Sequence, residues 1–295
     1  KMVAGAVKLE RSRPVEVLAH QSVIKNLEIH TNGQDGIVIK DVNNVLIENI
    51  KIYHRGGAGI RIENANDVTI RSVEVINASF KSDGSSINEK TWGIIANNSK
   101  NLRIDNVRLV RSLTGIHIRN SEKPILTRIN IQDVRGVIIK DSLGNKSIQR
   151  GNCIQFLKTE SPKLSQFSCE NYRFKSLAGD LISIYQSDNA EISNGSVDFT
   201  PSPSGAGVIF EYSKNGTVKD VDVRRATGQA FVASGASNIK FIRGRAKEKY
   251  CMSSGFGKTR SSGVVYYAAF KDPRYNNSKG KTQAIEIIDS IYSRR

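Results

Sequence analysis

The sequence has few of the residues that reveal a function by themselves. It contains one tryptophan and three cysteines, Cys153, Cys169 and Cys251, without a Cys-x-x-Cys spacing. That cysteine pattern does not match a zinc site or a thioredoxin-like redox motif. We expect these cysteines to be buried free thiols. The chain is built of short repeated segments, and a rigid fold of stacked repeats does not need a crosslink. A disulfide between Cys153 and Cys169 is the less favoured alternative.

Long hydrophobic runs are also missing. The sequence has no stretch of about 18 apolar residues, so we expect no membrane-spanning helix. The first residues, Lys1 to Val7, are too short and too weakly apolar for a signal peptide. A processed chain would have lost its signal, so this observation does not exclude secretion.

Acidic residues are scarce relative to basic ones, and the formal net charge is +16. A positive surface attracts polyanions, which include nucleic acid, anionic lipid and acidic polysaccharide. Nucleic acid is the least favoured of these partners, because aromatic residues make up only 7% of the chain and no recognition motif is present.

A short phrase is repeated along most of the chain. It begins with a small residue and then alternates apolar residues with others, which predicts a strand with alternate side chains inward and outward. The copies are Gly36 to Ile39, Gly59 to Ile62, Gly93 to Ala96, Gly115 to Ile118, Gly136 to Ile139, Cys153 to Phe156, Leu181 to Ile184, Gly207 to Phe210 and Ala230 to Ala233.

A second phrase follows most copies and consists of two alternating runs around one polar residue. This pattern predicts two strands that meet at a bend, since Asn and Asp tolerate left-handed backbone geometry. The predicted bends are Asn26, Asn49, Ser72, Asn106, Arg128, Asn171, Asn194, Asp220 and Arg243.

The phrases recur at a short period, 23 positions from Gly36 to Gly59 and 22 from Gly93 to Gly115. Such a period is typical of a solenoid. Ile and Val dominate and no segment has a helical pattern, which favours a parallel β-helix over a leucine-rich repeat. We predict an all-β, single-stranded parallel β-helix of about ten coils over residues 1–246, with a loop insertion at 78–91. Residues 247–295 would form a basic loop and an irregular C-terminal cap or the last coils.

The repeated Gly-Ile-x-Ile and Val-x-Ile-x-Asn-Val-x-Ile phrases resemble those of the pectate-lyase-like (pectin-lyase-like) superfamily over roughly residues 20–246. The resemblance implies a right-handed coil and a secreted or periplasmic protein. This group includes polysaccharide lyases, glycoside hydrolases, uronate epimerases and phage tailspikes, so the resemblance is specific for fold and unspecific for chemistry. The polygalacturonase and epimerase signatures are missing. We predict no cofactor: calcium stays an alternative, but no dense Asp cluster gives it a clear site like that of pectate lyases.

In the resembling families the substrate lies along the outer face of the first strand. Counting outward from the glycines places a mainly cationic cluster there, which suits carboxylate recognition. The cluster consists of Arg61, His117, Arg119, Lys140 and Arg135.

Several roles follow for residues on this face. A base that removes the proton next to a neutralised carboxylate would cleave a uronate chain by β-elimination. The catalytic candidates are His117, Arg119, Lys140 and Tyr185. The predicted substrate contacts are Arg61, Glu63, Trp92, Asn97, Arg135, Asp180 and Glu211, among which Trp92 could stack on a sugar.

The favoured function is therefore a lyase that acts on an acidic, uronate-containing polysaccharide. A glycoside hydrolase, which needs a carboxyl pair such as Asp180 and Glu211, remains an alternative. A uronate epimerase and a non-catalytic glycan-binding β-helix of the adhesin or tailspike kind also remain open, as does the oligomeric state.

Overall fold

All regular secondary structure in the described part of the chain is β-strand. The computed structural model describes residues 8–78, 91–140, 144–171, 178–200, 202, 205–226, 229–247, 266–268, 283–289 and 291–293. In chain order the strands are β1 (Glu10–Ser12), β2 (Val15–Val17), β3 (Val23–Asn32), β4 (Ile37–Lys40), β5 (Leu46–Arg55), β6 (Gly57–Glu63), β7 (Thr69–Asn77), β8 (Thr91–Asn97), β9 (Arg103–Val110), β10 (Thr114–Arg119), β11 (Ile125–Gln132), β12 (Val137–Lys140), β13 (Lys146–Gln149), β14 (Asn152–Leu157), β15 (Lys163–Glu170), β16 (Ile182–Tyr185), β17 (Glu191–Thr200), β18 (Ala206–Glu211), β19 (Lys214–Ala226), β20 (Gln229–Ser234), β21 (Ser237–Ile242), β22 (Arg245–Lys247), β23 (Tyr266–Ala268), β24 (Gln283–Ile288) and β25 (Ile291–Ser293).

The chain winds through two parallel sheets. A sheet of 13 strands, here called the major sheet, has the order β1-β3-β5-β7-β9-β11-β15-β17-β19-β21-β24, with β22 and β25 joined beside β19. A sheet of 10 strands, the minor sheet, has the order β2-β4-β6-β8-β10-β14-β16-β18-β20-β23. Each strand pairs with its equivalent one coil away, and this confirms the predicted parallel β-helix. The number of coils remains a prediction.

Inward side chains stack in continuous ladders along the coil axis. One ladder on the minor sheet is fully buried and consists of Ile37, Ile60, Ile94, Ile116, Ile154, Ile182 and Val208. Successive members are one rung apart, roughly 4.8 Å. An aromatic ring in the interior can need a small residue on the next rung: a Cβ added to Gly195 would clash with the ring of Phe167.

Most of the predicted bends are confirmed by left-handed backbone angles. Asn49 has a φ of 53° and Asn194 a φ of 52°, and the other bend positions agree except one. Asn171 was the wrong choice, because the bend of its coil lies at Gln166 with a φ of 54°. Asn171 is instead buried, and its side chain accepts a hydrogen bond from the Val134 N–H at 2.9 Å.

One predicted copy of the strand phrase does not belong to the stack. β12, which contains the segment after Gly136, pairs antiparallel with β13 in a separate hairpin. β10 pairs directly with β14 instead. The prediction for this copy was wrong. Its apolar residues alternate as they do in a stacking strand, but it pairs with β13, the next strand in the chain.

The cysteine expectation was also wrong for two of the three residues. Cys153 and Cys169 are buried and joined by a disulfide, with their Cα atoms 6.2 Å apart. They face each other across the interior of one coil, from β14 and β15, within the usual Cα spacing for such a bond. Cys251 lies outside the described residues.

The predicted insertion and the predicted C-terminal segment lie only partly within the described residues. Most of the insertion at 78–91 lies outside the described residues. Beyond residue 247, the strands β23, β24 and β25 pair in parallel with β20, β21 and β22, so these segments extend the stack. The cap itself stays a prediction. No helix in the described ranges is long and apolar enough to cross a membrane.

The stacked ladder makes a direct prediction at Ile118, which is fully buried. Replacing it by Asp buries a charge without a partner, so we expect Ile118→Asp to lose more than about 4 kcal/mol of unfolding free energy, or to fail to fold. Ile138→Asp is the matched control, since Ile138 is 37% exposed on the hairpin. Urea unfolding checks both variants, and equal stability of the two would contradict the register.

Candidate functional site

The outer face of the minor sheet holds the core of the predicted site. Arg61 on β6 pairs with Ile95 on β8, and Ile95 pairs with His117 on β10. Arg119 follows two residues after His117 and therefore points to the same side. Arg61 and His117 are two rungs apart, roughly 9.6 Å along the coil axis. The structure thus places Arg61 on β6, and His117 and Arg119 on β10 two rungs away, on one face as the alternation predicted.

Arg61 is already bound to an acid that the sequence analysis did not identify. Its Nε donates to Asp35 Oδ2 at 2.5 Å, and its Nη2 donates to Asp35 Oδ1 at 3.2 Å. These hydrogen bonds to Asp35 are the main reason that the pKa of Arg61 is raised. Glu63 lies 3.6 Å from Arg61 Nη1. The charge of Arg61 is therefore largely compensated.

Asp35 is held at a turn one coil before Arg61. Its Oδ1 also accepts a hydrogen bond from the Ala58 N–H at 2.6 Å. The only sequence signal was an acid immediately before the first Gly-Ile-x-Ile phrase, and a turn residue of that kind usually has a local role.

Trp92 packs against the same arginine. The guanidinium carbon of Arg61 lies 5.9 Å from the centre of the indole ring, within the range of a cation–π contact. Trp92 belongs to β8 and is half-buried. Arg61 and Trp92 together form a partly exposed platform of two flat groups, edged by Asp35 and Glu63.

His117 does not add to the positive charge of this face. Burial, together with the nearby charge of Arg119, lowers its pKa from 6.5 to about 4. Its Nε2 is buried and makes no hydrogen bond within the described part of the chain. The imidazole is therefore neutral at neutral pH, with one nitrogen turned away from solvent.

Arg119 is an exposed cation of this face. Its Nε donates to Asn97 Oδ1 at 2.6 Å, and Asn97 itself is only 7% exposed. In the described ranges Arg119 has no carboxylate within ion-pair distance. The buried amide holds the guanidinium in one orientation, and its terminal nitrogens remain available to a ligand.

Two predicted cations are not on the face. Lys140 belongs to β12, whose backbone pairs with β13 in the hairpin and not with the minor sheet. Arg135 is 1% exposed, and its Nη2 lies 3.7 Å from Asp133 Oδ2. Arg135 cannot contact a polymer on the surface, because burial closes it off, and its predicted role as a substrate contact was wrong.

The remaining candidates lie on later rungs. Tyr185 is two rungs from Arg119 and packs edge to face against Tyr212, with ring centres 5.7 Å apart. Burial raises the pKa of Asp180 to about 6, against the opposing effect of the Ala206 N–H, which donates to its Oδ1 at 2.8 Å.

Asp180 and Glu211 do not form the carboxyl pair that a hydrolase needs. Asp180 is level with Ala206 at the start of β18, whereas Glu211 is at the end of that strand and pairs with Tyr185. Five residues of strand separate the two levels by roughly 16 Å. Hydrolases place their carboxyl groups about 5 to 9.5 Å apart. Among the described residues no group of three or more His, Cys, Asp or Glu could hold a metal ion.

The lowered pKa of His117 predicts a pH dependence of stability. An unfolded chain protonates this histidine below about pH 6.5, whereas the folded chain resists protonation until about pH 4. Stability is therefore lost as the pH falls through that window, by at most about 3 kcal/mol. We expect His117→Gln to lose less stability between these pH values than the unsubstituted chain, measured by urea unfolding. Parallel curves would show that His117 titrates normally.

Comparisons with known proteins agree with this architecture. Residues 11–91 match the family model described as a right handed beta helix region. The sequence matches none of the curated proteins with which it was compared. The N-terminal fragment of bacteriophage phi29 gene product 12 has a similar structure, with a TM-score of 0.61 and 11% identity over 92% of this chain and 44% of that chain.

A second similar structure is the enzymatically active domain of tailspike protein 2 from bacteriophage CBA120. Its TM-score is 0.50, with 11% identity over 88% of this chain and 42% of that chain. The chain thus spans less than half the length of these two proteins. At such low identity the similarity concerns the fold alone. The chain therefore has a right-handed parallel β-helix fold.

Proposed function

We propose that the outer face of the minor sheet binds an acidic polysaccharide. The observation that carries this proposal is Arg119, an exposed guanidinium oriented by a buried amide and without a carboxylate partner in the described part of the chain. A guanidinium in a set orientation binds both oxygens of a carboxylate, and little side-chain freedom is lost on binding.

The platform formed by Arg61 and Trp92 supports a sugar ligand. An indole offers a flat apolar surface for one face of a sugar ring. The carboxylates of Asp35 and Glu63 lie beside it and can accept hydrogen bonds from sugar hydroxyls. Trp92 is level with Thr114, five residues of strand before Arg119, so a ligand must span roughly 16 Å across the face to contact both the sugar-stacking group and the group that selects acidic sugars. A polymer several sugar units long meets this requirement.

A repeating surface suits a repeating ligand. Equivalent positions recur at each rung along an extended face, as in other solenoid proteins that bind elongated partners. We also propose that the protein works outside the cytoplasm. The disulfide between Cys153 and Cys169 supports this location, because such bonds persist in oxidising compartments.

The binding proposal can be tested with Arg119→Gln and a panel of polygalacturonate, alginate, hyaluronan and a neutral glucan. We expect at least one acidic polymer to bind, and Arg119→Gln to weaken it roughly tenfold, which corresponds to about 1.4 kcal/mol. Isothermal titration calorimetry at a constant salt concentration measures this change. Arg11→Gln is the control, since Arg11 is exposed on β1 of the major sheet. An equal loss of affinity in both variants would show that only the net charge matters. Absence of binding to every acidic polymer would overturn the proposal.

β-Elimination is a second candidate function. It is favoured by the positions of Arg119 and His117, which lie two residues apart on one face, so that a carboxylate-neutralising cation lies beside an unprotonated imidazole. Tyr185, two rungs away, is the candidate acid for the leaving oxygen. The burial of His117 Nε2 ranks this function below binding.

The lyase candidate predicts that the polymer which binds is cleaved into products with unsaturated uronate ends, followed by their ultraviolet absorbance. His117→Ala should then abolish turnover and retain polymer binding, because a neutral side chain adds little to the attraction of a carboxylate. Binding without any new absorbance in the unsubstituted protein would leave a glycan-binding face and exclude the lyase.

A further inference from the structure

A cationic groove lies around the corner from the proposed binding face. Its volume is about 310 Å³, and it opens where the turns after the minor sheet lead into the major sheet. We call it the corner groove. Its lining residues are Asn101, Arg103, Lys123, Ile125, Ser161 and Lys163.

The groove is built by two stacked columns on three successive rungs. Asn101, Lys123 and Ser161 occupy equivalent turn positions, with φ angles of 56°, 52° and 51°. Arg103, Ile125 and Lys163 form the next column, in register at the start of β9, β11 and β15. Backbone hydrogen bonds one rung apart, such as Lys123 N–H to Glu160 O at 2.8 Å, hold the turns in place. The groove is therefore formed by the regular stack and not by a loose loop.

The cations of the groove differ from many of their neighbours on the major sheet. Several other basic residues of this sheet face an acid one rung away, as Arg128 faces Asp105 and Lys51 faces Glu74. Arg103 and Lys123 are exposed and have no ion pair within the described ranges. Uncompensated charges placed close together cost free energy unless a ligand neutralises them.

Two carboxylates of the adjoining turns, Asp67 and Glu160, hydrogen-bond to neutral side chains. Asp67 accepts a hydrogen bond from Asn101 Nδ2 at 3.0 Å. Glu160 accepts bonds from Ser161 Oγ at 3.1 Å and from Asn189 Nδ2 at 2.5 Å. The third cation of the groove, Lys163, forms an ion pair with Glu191 at 3.0 Å. None of these carboxylates lies within ion-pair distance of Arg103 or Lys123 in the described part of the chain, so both cations remain available to a ligand.

We propose that the corner groove binds an acidic sugar unit of the polysaccharide that contacts Arg119. Half-buried Ile125 supplies an apolar floor for one face of the ring, Arg103 and Lys123 bind its anionic group, and Asn101 and Ser161 contact hydroxyls. Lys123 is four residues after Arg119, so their Cα atoms are at most about 14 Å apart. The identity of the ligand rests on the proposed function, whereas the existence of the site rests on the groove itself.

The path of the polymer follows from these positions. It would cross the edge of the minor sheet near Arg119 and continue around the corner within the same rungs. Two linked contacts bind a long chain more tightly than a short one, because the second contact is intramolecular. The groove should therefore matter most for long acidic chains.

The test compares Arg103→Gln/Lys123→Gln with the matched control Lys25→Gln/Lys219→Gln. The control removes the same charge from exposed residues of β3 and β19 on the same sheet. The probes are galacturonate and mannuronate oligomers, each as a disaccharide and as a long chain. We expect the groove variant to bind the long chain at least about tenfold more weakly than the control does. Disaccharide binding at the Arg119 face should not change.

The possible outcomes separate this proposal from the proposed function. If Arg119→Gln weakens binding and the groove variant behaves like its lysine control, the groove proposal is overturned and the face remains. If the groove variant weakens binding and Arg119→Gln does not, the groove is supported and the proposed face is overturned. If neither variant differs from its control, both are overturned.

Discussion

The stacking of each residue on its equivalent one rung away is the constraint on which the rest of this structure depends. Inside the coil it demands that neighbouring rungs fill one ladder without gaps or clashes. Ile60 stacks on Ile94, and Gly195 leaves the space that the ring of Phe167 fills. A substitution therefore changes the packing of the rungs above and below it. The stability of each coil depends on the neighbouring coils that cover it.

The same constraint organises the outside of the molecule. Residues more than 20 positions apart in sequence become neighbours separated by one rung, so charges must either alternate in sign or remain uncompensated. Arg128 beside Asp105 and Arg108 beside Glu74 illustrate the first case on the major sheet. Arg119, held by Asn97, illustrates the second. The net positive charge of the chain is thus less informative than the positions at which such pairing fails beside groups that can hold a ligand.

Counting in twos from the glycines predicted the fold and most of the register, because the inward and outward alternation is a local property of a strand. It failed at Lys140, since the segment before it alternates like a stacking strand but pairs with β13. It could not foresee the state of Arg61 or His117. The first depends on Asp35 across a turn, and the second on burial, which lowers its pKa to about 4. Both effects arise from neighbours that sequence distance does not indicate.

The hairpin of β12 and β13 shows where this architecture tolerates added length. β10 and β14 pair directly although the hairpin lies between them in sequence. Only the strands must keep their spacing, and the connecting corners are free to vary. New segments can therefore be acquired at a corner during evolution without disturbing the ladders. Related chains with the same rungs could differ in the shape of their rims, and so in the glycans that fit against them.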